Sequence, residues 1–332
     1  MKIFITRSIP NRGVELLKQK GWEVVVSPHD RVLAKRELID ALAPGQYDAV
    51  LCLLTDKIDG EIMDAAGKQC KIFANYAVGF DNIDLEAARE RGIMVTNTPD
   101  VLTQTVAEHT FALILAIAHR IAEADKFSRA GRYHGWEPEL LLGTDVSQKI
   151  LGIVGLGRIG SRVAHHAAKG FDMRVLYYDV KRNEDFERET GAQFRANADD
   201  IFREADFISI HVPLLDATRH LVNAERLRIM KPTAYLVNTS RGPIVDEAAL
   251  RDALKAEVIR GAAIDVWEHE PELTPGLADL ENIIITPHTA SATEGTRQKM
   301  AELAAKNIIE KLEGRTPPNL VRPVPTPPPL PR

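Results

Sequence analysis

Only two cysteines, Cys52 and Cys70, stand among the 332 residues, so no disulfide framework can hold this chain together. Both read as small core residues in a reducing compartment rather than as nucleophiles. Long apolar runs are also missing. The longest, 111–118, is far shorter than the roughly 20 residues that cross a bilayer, which excludes a membrane-spanning helix. A basic excess is missing too: 42 Lys and Arg face 47 Asp and Glu, a net charge of −5, which argues against a nucleic-acid partner. The opening stretch, MKIFITRSIP, has neither an apolar signal core nor a cleavage site and reads as a first strand entering a turn, so the expected location is the cytoplasm. No histidine pair stands at zinc-ligand spacing with cysteine or acidic partners, so no metal site is expected.

What is present is ordinary globular composition, 45% hydrophobic and 27% charged, in a chain long enough for two domains. Apolar runs at 2–6, 23–26, 48–53, 71–76 and 93–96 read as strands, with helical patterns between them at 13–20, 34–42, 59–65 and 85–91. Repeated βα units predict an α/β fold with a largely parallel sheet covered on both faces. The second half repeats the theme, with strands expected at 150–154, 174–178, 207–212, 234–238, 262–266 and 282–286, a six-stranded nucleotide domain. Between the halves, 101–127 is predicted as a helix whose centre, VAEHTFALILAIAHRIA, is apolar on nearly every face and must be buried. Burial between domains or subunits and burial in the core of one domain both fit this stretch. A last helix is expected over 292–312. The Pro-rich tail from Thr316, TPPNLVRPVPTPPPLPR, should be extended or disordered, with a ligand for a proline-binding partner as the lesser alternative.

The strand at 150–154 runs straight into Gly155-Leu156-Gly157-Arg158-Ile159-Gly160, and a helix begins at Ser161. Here G-x-G-x-x-G has its required context. Gly155 allows the turn, Gly157 lets the backbone approach a pyrophosphate, and Gly160 lets the helix pack on the strand. The helix N-terminus offers free N–H groups to the phosphates. The next strand leads to Asp179, about 20 residues past the glycines, where a carboxylate bonds the ribose hydroxyls and repels a 2′-phosphate. That favours NAD. Lys181 and Arg182 follow it and either are solvated loop cations or hold a 2′-phosphate, which keeps NADP as the minority reading. A methyltransferase would use a similar glycine loop, but the full spacing and the residues downstream count against one.

Ligands of an open α/β sheet bind beyond the carboxyl ends of its strands. Three successive strands end there in reactive residues: 234–238 leads to Thr239-Ser240-Arg241, 262–266 contains Asp265 and leads to Glu270, and 282–286 leads to His288. Reduction of a 2-keto acid needs a clamp for the carboxylate and a proton for the carbonyl oxygen. Arg supplies a fork matched to a carboxylate. His exchanges protons near neutral pH, and an adjacent carboxylate orients it and favours its protonated form. Each residue alone has a plain structural reading; the three together at adjacent strand ends point to catalysis.

The segments NYAVGFDN (75–82), TNTPDVLTQTVAEH (96–109), GLGRIG (155–160), NTSRGPIVDEAAL (238–250), AAIDVWEHEP (262–271) and TPHTASAT (286–293) together resemble the D-2-hydroxyacid dehydrogenase family, and within it the glyoxylate/hydroxypyruvate reductases. The similarity runs from the first strand to about Val321. It implies a Rossmann-type doubly wound domain at 99–289 and a flavodoxin-like substrate domain built from 1–98 and 290–332, with the substrate in the cleft between them. It implies Arg241, Glu270 and His288 as the catalytic set, with the backbone of Val78 and Gly79 cradling the substrate carboxylate. The cofactor would meet Val106 and the loop Gly155, Gly157, Arg158, Ile159 and Gly160. Asp179, Val180, Lys181 and Arg182 would lie at its adenosine end. Val212, Pro213, Thr239, Ser240 and His288 would lie further along it, with Asp265 on the nicotinamide carboxamide. Such proteins pair as dimers through the region after residue 100, and Trp136 resembles a tryptophan with which one subunit borders the other's substrate. Asp179 departs from the reductases nearest in pattern, which often carry a small residue and then basic ones there.

The expected activity is thus NADH-dependent reduction of glyoxylate or hydroxypyruvate. D-lactate and 3-phosphoglycerate dehydrogenases are rivals within the family, the latter disfavoured because no C-terminal regulatory domain and no phosphate-binding cluster near Val78 are apparent. A non-catalytic NAD-sensing scaffold is the rival from another class.

Overall fold

A computed structural model describes residues 1–43 and 46–322. In chain order the elements begin with β1 (Lys2–Ile5), α1 (Asn11–Lys18), β2 (Glu23–Val26), α2 (Lys35–Leu42), β3 (Ala49–Leu53), α3 (Gly60–Ala65), β4 (Ile72–Tyr76), α4 (Leu85–Glu90) and β5 (Met94–Thr96). Then come α5 (Thr103–Ala118), α6 (Ile121–Arg129), β6 (Ile150–Val154), α7 (Arg158–Gly170), β7 (Arg174–Tyr178), α8 (Glu184–Thr190), β8 (Gln193–Phe194) and α9 (Ala198–Glu204). The chain continues through β9 (Phe207–Ile210), α10 (Ala224–Ile229), β10 (Tyr235–Asn238), α11 (Glu247–Lys255), β11 (Gly261–Ile264), β12 (Ile283–Ile285) and α12 (Glu294–Leu312). Contacts divide the described residues into two units: Met1–Leu102 with 292–322, and Thr103–Ser291. Among the described residues no helix is long and apolar enough to cross a membrane, and no cluster of His, Cys, Asp and Glu could hold a metal ion.

The first unit carries a parallel sheet in the order β2-β1-β3-β4-β5, the flavodoxin-like arrangement. Every residue of β3 and β4 is buried, as central parallel strands with both faces covered require. Asp59 and Asp84 cap α3 and α4, accepting the N–H of Ile62 and Ala87. Helix α12 returns to this unit and packs along α1, where Gly13 permits the approach: a Cβ there would lie 2.6 Å from the Ala301 carbonyl oxygen. The chain past Thr316 differs from expectation. Leu320 pairs antiparallel with Thr96, and the Val321 N–H donates to Val95 O at 2.8 Å, so 319–321 is docked on the open edge of β5. The remainder of the Pro-rich stretch, 323–332, lies outside the described residues.

The second unit carries seven parallel strands, not six, in the order β12-β11-β10-β9-β6-β7-β8. The extra strand, β8, has only two residues, too few to show an apolar pattern. This is a Rossmann-type doubly wound sheet whose strand order reverses between β6 and β9, the crevice where such folds bind dinucleotides. Apolar clusters cover both faces, one around Ile208, Leu236 and Ile264, the other around Tyr177, Val237 and Phe207. The single helix expected over 101–127 is two. Arg120 adopts a left-handed conformation (φ 55°) and separates α5 from α6, which buries no residue. Helix α5 packs on α7, β10, β11 and β12, so its all-round apolarity serves the core of this unit.

Candidate active site

The second unit builds its glycine loop where β6 meets α7. Gly155 has φ +97°, and a Cβ on it would stand 2.8 Å from the His211 carbonyl and 2.9 Å from a Val212 methyl, so only glycine fits. A Cβ on Gly160 would lie 2.1 Å from the Gly155 oxygen. Gly157 instead faces open space, and no side chain caps the helix that starts behind it. That leaves room and backbone donors for a phosphate. Asp179, just past β7, is anchored to this loop: its Oδ2 accepts the Leu156 N–H at 2.7 Å and its Oδ1 the Lys181 N–H at 3.3 Å. Arg182 places its fork on Glu187 (2.9 and 2.7 Å), and Arg182 first, then the Tyr177 hydroxyl, holds that carboxyl down at about 2. Val180 is exposed. These residues fit a dinucleotide.

Further along the sheet edge, Thr239 bonds the Thr110 hydroxyl (2.8 Å), which itself donates to the Val106 carbonyl, so α5 and the end of β10 are tied together. The buried Asn238 shapes the turn that presents Arg241: its Nδ2 donates to Arg241 O (2.9 Å), and its Oδ1 accepts the N–H and hydroxyl of Ser240. Gly242 follows, so close to the Trp267 carbonyl that a Cβ would lie 1.7 Å from its oxygen. Strand β11 ends at Ile264, so Asp265 stands just beyond it rather than within. Its fully buried carboxylate accepts the Thr286 hydroxyl (2.6 Å) and the N–H groups of Thr289 and Ala290 (both 2.8 Å). Burial pushes the Asp265 acid up, but His109 and these hydrogen bonds together hold it below its ordinary value. The Asp265 carbonyl accepts the His288 N–H (2.8 Å), so this residue braces the whole turn that carries His288.

Glu270 meets His288 directly. Its Oε2 lies 3.0 Å from Nδ1 of the ring, and its Oε1 accepts the Trp267 N–H at 3.1 Å. The contact leaves Nε2 as the ring atom for a reacting group. Both side chains keep about a third or less of their surface, 26% and 32%, open to solvent. Arg241, Glu270 and His288 thus stand at the ends of three adjacent strands, with the last two in contact. Sequence reading missed His109, whose Nε2 lies 3.4 Å from both the Asp265 carboxylate and the Thr286 hydroxyl; its place in VAEH was the available signal.

In the first unit, Val78 and Gly79 follow β4. Ala77 O accepts the Thr98 N–H (2.8 Å) and Val78 O accepts Asn97 Nδ2 (2.7 Å). In a trans peptide the N–H points opposite to the carbonyl, so the N–H groups of Val78 and Gly79 both point away from the 97–98 segment. Asn75 Nδ2 holds Gly79 O at 2.8 Å. A paired donor set suited to a carboxylate results. Asn75 and Asn97 were not singled out from sequence, although both lie in the quoted segments. Trp136 is 81% exposed.

Residues 111–290 match the family model described as D-isomer specific 2-hydroxyacid dehydrogenase, NAD binding domain. The chain is 48% identical over 324 residues to a glyoxylate reductase of Thermococcus kodakarensis, covering 96% of each. A crystal structure of a Thermus thermophilus protein superposes with a TM-score of 0.89 at 43% identity, covering 97% of this chain and 100% of that one. An NADPH-dependent glyoxylate/hydroxypyruvate reductase from Sinorhizobium meliloti, solved with citrate, superposes with a TM-score of 0.83 at 30% identity, covering 96% and 97%. The chain belongs to the D-isomer specific 2-hydroxyacid dehydrogenases.

Proposed function

We propose that this protein reduces small 2-keto acids, with glyoxylate and hydroxypyruvate foremost, to 2-hydroxy acids. The observation that carries the reading is the Glu270–His288 pair at the edge of a sheet that also bears the glycine loop. The relatives named glyoxylate reductase support it. Bound NADH would supply the hydride, held by the glycine loop with Asp179 on the adenosine ribose. Arg241 holds the substrate carboxylate and carbonyl through its fork. His288 gives the proton on Nε2 to the carbonyl oxygen as the hydride arrives, and Glu270 on Nδ1 keeps the ring oriented and stabilises its charge. Within the first unit, the N–H groups of Val78 and Gly79 are donors of the kind that binds a carboxylate. Asp265, fully buried on its own donors rather than open to the nicotinamide carboxamide, serves by bracing the His288 turn.

The anchored Asp179 and the Arg182–Glu187 pair support NADH as the preferred cofactor. The test is NADH oxidation with glyoxylate, hydroxypyruvate and pyruvate in turn, repeated with NADPH. We expect turnover with glyoxylate or hydroxypyruvate and a kcat/KM ratio favouring NADH. Tight NADH binding without turnover of any of the three would favour another 2-hydroxy acid or the scaffold reading.

We further propose a homodimer in the cytoplasm. Ile121, Tyr133, Trp136 and Leu142 are large apolar residues left exposed on one stretch of the single chain, and a second copy would cover them. Sedimentation equilibrium should return twice the 36.8 kDa chain mass; a monomer at micromolar concentration would contradict it. Cys52 and Cys70 are both buried and free, in keeping with a reducing compartment.

A further inference from the structure

Glu247 is the first residue of α11, and only 2% of its surface is exposed. A carboxylate removed from water must be satisfied by donors. It is not needed to cap its helix, because Asp246 does so by accepting the Ala249 N–H. Its partners lie instead in the loop after β11. Oε1 accepts the Glu268 N–H at 2.6 Å, and Oε2 accepts the Thr274 hydroxyl at 2.7 Å and the Thr274 N–H at 3.3 Å. Glu268 precedes Glu270 in the chain and Thr274 follows it, so one buried carboxylate grips the loop on both sides of Glu270. Glu268 returns the grip: its Oε2 accepts the Glu247 N–H at 3.2 Å, and its Oε1 lies 2.5 Å from His220 Nε2. Within the loop, Glu270 itself is steadied by the Trp267 N–H.

We infer that Glu247 is a positioning residue for Glu270, acting through the backbone of Glu268 and Thr274 to set the 3.0 Å contact with His288. The inference rests on the role given to Glu270 under the proposed function. Glu247 touches no reacting atom. Its effect on rate comes from holding an orienting group in place, where displacements of about 1 Å cost up to about 100-fold.

The test uses the full-length enzyme with NADH and the best keto acid. Glu247→Gln keeps the side-chain size but turns an amide NH2 toward donors that need an acceptor. We expect kcat to fall about tenfold or more, with the KM for NADH unchanged. Added to Glu270→Gln, the same change should lower kcat no further, because the group it positions is already gone. Thr274→Val removes one hydroxyl from a half-buried site and serves where Glu247→Gln does not fold. It should give a smaller fall in kcat that also vanishes in the Glu270→Gln background. An equal fall in both backgrounds, or no fall, would make Glu247 merely structural and overturn the inference. Full kcat in Glu270→Gln alone would instead remove Glu270 from the mechanism, and this inference with it, a result distinct from additivity.

Discussion

His288 sits at φ +53°, a left-handed conformation that costs a residue with a Cβ about 1–2 kcal/mol. Asp265 makes that conformation tolerable, since its carbonyl takes the His288 N–H and its carboxylate takes the next two N–H groups. Strain at a functional residue is thus held by a buried anion whose own charge is stabilised by the same bonds. Arg241 is presented differently, by a turn that Asn238 shapes from within, and its Nη1 also donates to Ser240 O. Substrate binding is therefore expected to depend on Arg241 far more than cofactor binding does. Arg241→Ala should raise the KM for keto acid and lower kcat while leaving the Kd for NADH, followed by fluorescence titration, nearly intact. A matching loss of NADH affinity would contradict its assignment as the substrate clamp. The placement of Arg241, Glu270 and His288 was legible in the sequence because each follows an apolar run, and a parallel sheet puts all such ends on one edge. The work of Asn75, Asn97 and Glu247 was not legible. Their partners are backbone groups far along the chain, and sequence spacing does not show which loops fold back on one another.

At the scale of elements, the long central strands declared themselves through continuous apolar runs, and their ends shifted by only a residue or two. What stayed hidden was set by tertiary contact. The break between α5 and α6 falls at His119-Arg120, where neither glycine nor proline marks it; Arg120 takes the left-handed conformation there and Glu123 holds its guanidinium. Strand β8 exists because Gln193 and Phe194 lie beside Leu176 and Tyr177, not because two residues have a pattern. The 319–321 segment read as tail by composition, yet its backbone completes the edge of β5 and its Asn319 N–H reaches Asn307 of α12 (3.3 Å). The close approaches at Gly155, Gly160 and Gly242 show the converse, since there the residue type alone states that backbone must meet backbone.

For the molecule as a whole, the response to acid is the sum of groups whose shifts carry opposite signs. His211, just past β9 with Nε2 2.8 Å from the Ser209 hydroxyl, is pushed down by desolvation from its ordinary 6.5 to about 3. The unfolded chain therefore takes up a proton near 6.5 that the folded chain refuses until about 3. More protons bind the unfolded state in that window, so the stabilisation is complete above 6.5 and is lost as pH falls through it. His166, lowered by desolvation and then by Arg162, acts in the same direction. The paired carboxylates Glu37 and Glu187, both held at about 2, carry the same sign but enter only below their ordinary 4.5, and as surface pairs they count for little. Asp56 opposes them, because burial raises its acid and protonation then favours the folded state. Between pH 6.5 and 4.5 the histidines therefore govern. Scanning calorimetry across that interval should show Tm falling as the solution is acidified. His211→Gln, which keeps a hydrogen-bonding partner for Ser209 but cannot be protonated, should flatten the fall. An undiminished slope in the variant would assign the loss to His166 and remove His211 from the acid response.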